Sequence, residues 1–546
     1  MSELFVTESN NRAQEIAYAA VAKLKPESTS LVEYRSRGHV IIIANSEALI
    51  ANDELENLGN SSNGLSSEII QFEGSSPNSP IGNQITIKGA LGQFVVDLEE
   101  KEFKADLILD LSPKPILDMA YKPPGYLFTG TERVNIHNIK TEIEGLIGTF
   151  EKPLYINYDE NICAHSRSGK AGCTRCIDAC PAEAITSLLN KIAVDPYRCQ
   201  GGGICTTVCP SSAISYTYPK PKDLLNHVRT LVLSYIEALQ TDQDRQSSKK
   251  GGGAITKVSA NKDFFVDLVF VTEDEKARVE LLLPTALIIT VEEVASVGPE
   301  IWLSALAWGA RSVRLFALEG MPETAQKALD LHIEMMQSIL VAMGHSGNVV
   351  SVITEPSELI TVSYLSKIVT ATHTALTEKR QAFFMALDYL YKQTNMTTEV
   401  VTLPYGAIFG EVSIDKSSCT LCMACVSACP GNALQDGHEK PQVSLVEDKC
   451  LQCGICVSTC PENAMSMSPR LLLDRKSRLK PQVLHEDTPF CCTACGKPFA
   501  TTSGIKTILA KLAGHSMFAD QRAKDRLKMC DDCRVVDMME DPAVDF

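Results

Sequence analysis

The period of the hydrophobic pattern changes several times along the chain. "HVIIIAN" from His39 is a short, β-branched, almost continuous apolar run, which predicts a buried strand. A polar Gly/Asn/Ser stretch, "NLGNSSNGLSS" from Asn57, reads as a long loop or insertion. "QITIKG" from Gln84 and "ADLILDL" from Ala105 predict further strands before the turn "KPPGY" at Lys122 to Tyr126. Residues 1–150 thus form an N-terminal α/β or β-rich domain, and they hold no catalytic motif. "LLNHVRTLVLSYIEAL" from Leu224 repeats its apolar positions with helical spacing. It runs into "QTDQDRQSSKKGGG", whose charges and glycines predict a flexible linker over 239–260.

Beyond the linker, strand-like and helical runs alternate: "FFVDLVFV", "ALIITV", "PEIWLSALAWGA", "SVRLFAL", "AQKALDLHIEMMQSILVAMG" and "NVVSVI". This rhythm predicts a central α/β domain over 261–400 with a parallel sheet and right-handed crossovers. Trp302, Trp308, Met335 and Met336 fall on its apolar positions and read as core. The phosphate-binding patterns G-x-G-x-x-G and G-x4-G-K-[ST] are both missing from it.

The chain has 546 residues, 45% of them hydrophobic and 22% charged, which predicts several globular domains. No apolar run approaches the length of a membrane span. The first residues lack the basic and apolar regions of an export signal, so the expected location is cytoplasmic. A net charge of −16 argues against a nucleic-acid partner and suits docking onto basic protein surfaces.

All twenty cysteines lie in three groups, Cys163 to Cys209, Cys419 to Cys460 and Cys491 to Cys533. Such clustering in a cytosolic chain points to metal rather than disulfides. The second group reads "CTLCMACVSACPGNAL" and "CLQCGICVSTCPENAM", two C-x2-C-x2-C-x3-C-P runs. Cysteines in that register hold two 4Fe-4S clusters, the last cysteine of each run crossing to the other cluster. One set is then Cys419, Cys422, Cys425 and Cys460, and the other Cys450, Cys453, Cys456 and Cys429. Residues 401–470 read as a second dicluster module, of which about 45 residues, those spanning the cysteines, closely resemble a bacterial-type dicluster ferredoxin.

Residues 151–238 read as a first dicluster module followed by its helix, with two changes. In "CAHSRSGKAGCTRCIDACPAEAI" seven residues are inserted between Cys163 and Cys173, and the first cluster would be held by Cys163, Cys173, Cys176 and Cys209. The inserted His165, Arg167 and Lys170 suggest a basic contact for an acidic partner, a charge that tunes the cluster, or a solvated loop; His165 is also a weak candidate ligand. In "RCQGGGICTTVCP" Gly202 stands where the second cysteine belongs, which leaves Cys199, Cys205 and the crossing Cys180. The same cysteine is missing in seven-iron ferredoxins. That resemblance implies a 3Fe-4S cluster, with an atypical 4Fe-4S cluster completed by another group, or no cluster, as alternatives.

"FCCTACGKPFATTSGI" and "KMCDDCR" supply two C-x2-C knuckles in residues 485–546. Cys492, Cys495, Cys530 and Cys533 suit a structural zinc site, with rubredoxin-like iron as the alternative and Cys491 as a substitute for Cys492. A helix, "GIKTILAKLAG", separates the knuckles. The fold class expected is α/β multidomain: two ferredoxin-like dicluster modules, a central parallel α/β domain and a small zinc-knuckle domain.

The architecture is similar to polyferredoxin-like cytoplasmic proteins that accompany molybdenum or tungsten oxidoreductases such as formate dehydrogenases. The central domain weakly resembles the delta subunit of methyl-viologen-reducing hydrogenases, but lacks that subunit's cysteines. These resemblances imply an electron-transfer protein with three 4Fe-4S clusters, one 3Fe-4S or atypical cluster and one zinc, acting on redox-protein partners. Two other functions fit the same residues: a flavin- or nucleotide-dependent oxidoreductase subunit, and an assembly or maturation factor for a redox enzyme. No catalytic residue is assigned.

Overall fold

The structure is a computed structural model. It describes residues 2–541 except 53–54, 56–57, 59–64, 73–84, 99–100, 132–134, 168, 250–265, 346, 362–364, 366–368, 377 and 439. The N-terminal domain is built on four parallel strands in the order Ser66–Phe72, His39–Asn45, Leu107–Asp110, Tyr126–Phe128. The apolar run from His39 has no polar alternation because both faces of its strand are covered. Val40, Ile42 and Ala44 pack towards the helix Ile136–Gly145, and Ile41 and Ile43 towards the antiparallel strands Ile85–Lys88, Phe94–Leu98 and Lys101–Ala105. In the polar stretch from Asn57, residues 57 and 59–64 lie outside the described residues, and its last two serines open the strand Ser66–Phe72.

The first helix, Ser2–Val21, does not join this domain. It packs along the helix Pro221–Lys249 and reaches the central sheet. Gln14 Nε2 donates to the carbonyls of Pro284 and Ala286 at 3.1 and 3.0 Å. The Tyr18 hydroxyl accepts from Ile288 N at 2.8 Å.

The central domain has four parallel strands in the order Leu287–Thr290, Asp267–Val271, Ser312–Phe316, Val350–Ile353. The helices Pro299–Ala307 and Glu323–Ala342 pack on the sheet. Trp302, Trp308, Met335 and Met336 are all buried in the core. The helix Pro221–Lys249 extends past 239, where the linker was expected to begin, and residues 250–265 lie outside the described residues. Its apolar stripe, Leu224 to Leu239, is buried in the same core as the central sheet. That core also takes in Ile204 and Val208 of the first cysteine group and Leu471 and Leu473 beyond the second, so the intervening α/β domain is the body against which both are seated.

Removing the largest side chain from this shared core tests it directly. Trp302→Ala is expected to destabilise the protein by roughly 3–5 kcal/mol, read as a lowered denaturant midpoint.

Candidate metal centres

The two central cysteine groups are built on one plan. In the second, the strand Gly410–Ile414 pairs antiparallel with Met465–Leu472, a hairpin joins Leu434–Gly437 to Lys440–Leu445, and short helices occupy Ala424–Ala428 and Ile455–Thr459. In the first, Ile156–Tyr158 pairs with Ile214–Tyr216, the hairpin is Ile185–Leu188 with Lys191–Val194, and the helices are Arg175–Ala179 and Ile204–Val208.

Backbone conformation repeats with the same period. The third residue after each C-P cysteine is left-handed: Glu183, Ser212, Asn432 and Asn463 have φ of 46, 64, 50 and 51°. This turn returns the next N–H towards the thiol. Ala184, Ala433 and Ala464 donate to the Sγ atoms of Cys180, Cys429 and Cys460 at 3.4, 3.3 and 3.3 Å. Such bonds favour the thiolate form that a metal requires. In the remaining repeat Ser211 intervenes, lying 3.7 Å from Cys209 Sγ and accepting from Ala213 N.

Thiols line three small hollows. One small hollow is lined by Cys419, Cys422, Cys425 and Cys460, and a second by Cys429, Cys450, Cys453 and Cys456. A third is lined by Cys180, Cys199 and Cys205, with Gly202 on its wall. Around Cys176, burial first and then the charges of Cys209, Cys173 and Cys163 raise the thiol pKa. Cys205 is raised in the same way, by burial and by Cys180 and Cys199. Hollows walled by convergent, mutually repelling thiols fit a cationic iron-sulfur core, which removes the proton and the repulsion together.

The altered half retains the local geometry of its intact counterparts. Leu421 and Met423 flank Cys422 with φ of 55 and 63°, and Gln452 and Gly454 flank Cys453 with 48 and 82°. Gly201 and Gly203 flank Gly202 with 81 and 67°. Each glycine of the triplet is packed from a different direction. A Cβ would lie 2.9 Å from the Tyr155 ring at Gly201, 3.2 Å from the Tyr121 ring at Gly202, and 2.4 Å from Ser296 Cβ at Gly203. At the position of the missing cysteine the protein therefore places Tyr121, whose side chain bonds to Glu293 and whose backbone N–H donates to Pro181 O at 3.0 Å. Burial, and then the charge of Glu292, raises Glu293 to about 7 despite the bond from Tyr121.

The seven-residue insertion folds as a small hairpin, Ser166–Arg167 with Lys170–Ala171. His165 is buried, with Nδ1 3.0 Å from Cys173 O and Nε2 2.7 Å from Ser187 Oγ. With both ring nitrogens engaged it is neither a solvated basic contact nor free to ligate. Arg167 and Lys170 are exposed, and Arg167 Nη1 lies 3.5 Å from Cys429 O.

Several polar groups at these sites carry no motif in the sequence. Lys152 Nζ donates to Tyr197 O at 3.1 Å and also to Cys199 O. Gln452 Nε2 lies 3.4 Å from Cys450 Sγ. Lys379 and Arg380, adjacent on the helix Lys379–Tyr391, reach different modules. Lys379 Nζ donates to Thr206 O at 2.7 Å and Cys209 O at 3.4 Å, while Arg380 donates to Asp448 O and Cys450 O, both at 2.8 Å.

At the C-terminus, the ligand atoms of Cys492, Cys495, Cys530 and Cys533 lie within 4.8 Å of one another. Among the described residues no other group of three or more potential ligands is so tight. The separation of Cys495 and Cys530 is 3.8 Å, close to the roughly 3.8 Å edge of a tetrahedron with 2.3 Å metal–sulfur bonds. Gly496, at φ 74°, makes the knuckle turn, and Cys530 caps the helix Asp531–Met539, whose first turn carries Cys533. Burial disfavours ionisation of Cys492, but backbone N–H groups of Cys530, Cys495 and Ala494 outweigh it and bring the thiol to about 6. Cys491 is exposed and outside this group.

The central sheet presents acid where a nucleotide phosphate would sit. The helix after its first strand opens with Glu273, Asp274 and Glu275, opposing anion binding at that N-terminus.

Residues 418–465 match the family of 4Fe-4S dicluster domains. The protein therefore contains a ferredoxin-like iron-sulfur domain, within a mixed α/β architecture with parallel sheets. No curated protein matches the chain. No helix among the described residues is long and apolar enough to cross a membrane.

Two predictions follow from the packing of the altered half. Gly203→Ala is expected to cost roughly 2–4 kcal/mol from left-handed strain and overpacking. Gly496→Ala, also left-handed but facing open space, should cost only about 1–2 kcal/mol; denaturant melts compare the two. For Glu293, the folded state retains a proton between about pH 4.5 and 7 that the unfolded chain releases, so stability falls as pH rises through this window. Glu293→Gln should flatten that dependence and gain roughly 1–2 kcal/mol at pH 8, measured by melts across pH.

Proposed function

We propose that the protein is an iron-sulfur electron carrier that relays single electrons between redox partners through four centres in two dicluster modules. The observation that carries this reading is the repeated half-site: the same left-handed turns and converging thiols recur in residues 163–209 and in the matched domain. Cys163, Cys173, Cys176 and Cys209 would hold one 4Fe-4S cluster, Cys419, Cys422, Cys425 and Cys460 a second, and Cys450, Cys453, Cys456 and Cys429 a third. Cys180, Cys199 and Cys205 would hold a 3Fe-4S cluster, because the position of the fourth thiolate ligand is taken by Gly202, beside the Tyr121 ring. Such clusters supply reversible one-electron chemistry.

The chain's own residues enclose most of these sulfurs, with Cys422 exposed, and direct backbone N–H groups at Cys180, Cys429 and Cys460. The C-terminal thiols would hold a structural zinc ion, given their tetrahedral spacing and lack of an open position. The partners proposed are redox proteins, with a cytoplasmic molybdenum or tungsten oxidoreductase such as a formate dehydrogenase as the class suggested by resemblance.

Anaerobic protein should contain about fifteen irons and one zinc, the sum of three four-iron clusters and one three-iron cluster with a single tetrathiolate ion. Metal analysis with a spectroscopic redox titration measures this. Reversible reduction supports a carrier, whereas clusters that pass irreversibly to an apo-enzyme would point to assembly instead. Cys425→Ser should damage one 4Fe-4S centre and leave zinc content unchanged. Gly202→Cys alone should convert the altered site poorly because its Cβ crowds Tyr121. Gly202→Cys with Tyr121→Ala should convert it to 4Fe-4S, with loss of the three-iron signal of the oxidised protein.

A further inference from the structure

Arg175 follows Cys173 by two residues in the first module, but most of its hydrogen bonds reach the second. Its Nη1 is 3.9 Å from Cys173 Sγ and 3.4 Å from Leu451 O. Its Nη2 lies 3.3 Å from Gly406 O, 3.3 Å from Ala407 O and 3.2 Å from Gln452 O. Leu451 and Gln452 are the two residues between Cys450 and Cys453, so a single guanidinium spans the ligand loops of both modules.

The inserted hairpin closes the same joint. A Cβ on Gly172 would lie 2.4 Å from Ile455 Cγ1, and Ser458 Oγ donates to Ala171 O at 3.2 Å.

We propose that Arg175 is the positioning residue of an intramolecular electron junction: it fastens Cys173 of the first module against the Cys450–Cys453 loop of the second and biases the centre at Cys173 towards its reduced form. The proposal rests on the reading that both modules carry clusters. One electron crossing the joint adds one negative charge on the receiving side, and a fixed cation beside a ligand sulfur favours that charge. The planar guanidinium presents its donors in a fixed fork that reaches a sulfur and four carbonyls here. Lysine retains the charge but not the fork.

The test uses the full chain, loaded anaerobically, with Arg175→Gln and Arg175→Lys. The Gln variant should retain its iron and show one centre shifted to a more negative midpoint potential, the others unmoved. The Lys variant should leave that potential near the wild-type value. In both, amides flanking 406–407 and 451–452 should lose hydrogen-exchange protection. Loss of iron in the Gln variant that the Lys variant restores would also support the charge. Unchanged potentials and protection in the Gln variant, or equal loss of iron in both, would overturn the proposal. Failure of the underlying reading is distinguishable: wild-type protein would then lack iron at 163–209, whereas the exchange measurement reads the joint without metal.

Discussion

Thiolates brought together inside a protein repel one another, and the architecture is arranged around that repulsion. Burial and neighbouring sulfurs push Cys176, Cys205 and Cys456 towards the neutral thiol. Only a cation shared among them makes the charged form stable. The protein contributes what it can in advance: left-handed turns aim backbone N–H groups at sulfur, and the cations Lys152, Lys379 and Arg380 bind the carbonyls of ligand loops. The remaining charge is left for metal, so the local fold and metal content are two aspects of one equilibrium.

Much of this was legible in the cysteine spacing. The doubled C-x2-C-x2-C-x3-C-P spacing pointed to the matched dicluster domain, but not to the N–H to sulfur bonds, which depend on left-handed turns that no spacing encodes. The central parallel sheet followed from alternating strand and helix runs, and Trp302 and Trp308 from their apolar positions. The long-range partners were not legible. Arg175, Tyr121 and Lys379 are single residues with no repeating period, and their roles depend on what lies opposite in space. The same holds for His165, whose composition suggested a solvated loop but whose imidazole is fixed between Cys173 and Ser187. The helix continues past 239, where a linker was expected to begin, because amphipathic burial against the central core carries it onward, and polar residues tolerate helix once its apolar face is anchored.

The N-terminal and central domains meet around the triplet of glycines. Tyr121 and Tyr155 come from one side in the chain, and Ser296 from the other. Glycine at 202 also relieves a close approach: a Cβ there would sit 3.2 Å from the Tyr121 ring, which would have to give by a few tenths of an ångström. The two flanking glycines serve a separate purpose, since they preserve the wrapping turn while allowing close approach by Tyr155 and Ser296.

That arrangement has a consequence for the order in which the protein can mature. During synthesis the first module emerges well before Ser296, Lys379 and Arg175's partners at 451–452 exist. Its cysteines then have the Tyr121 and Tyr155 side of the wall but neither Ser296 nor the later Lys379 that binds the carbonyls of its ligand loop. A centre inserted at that stage would sit in an open pocket with access to further iron and to oxidants. For a centre in the altered half, as proposed, the later segments would complete the enclosure only after the first module has emerged, so sequence order would set when the site closes.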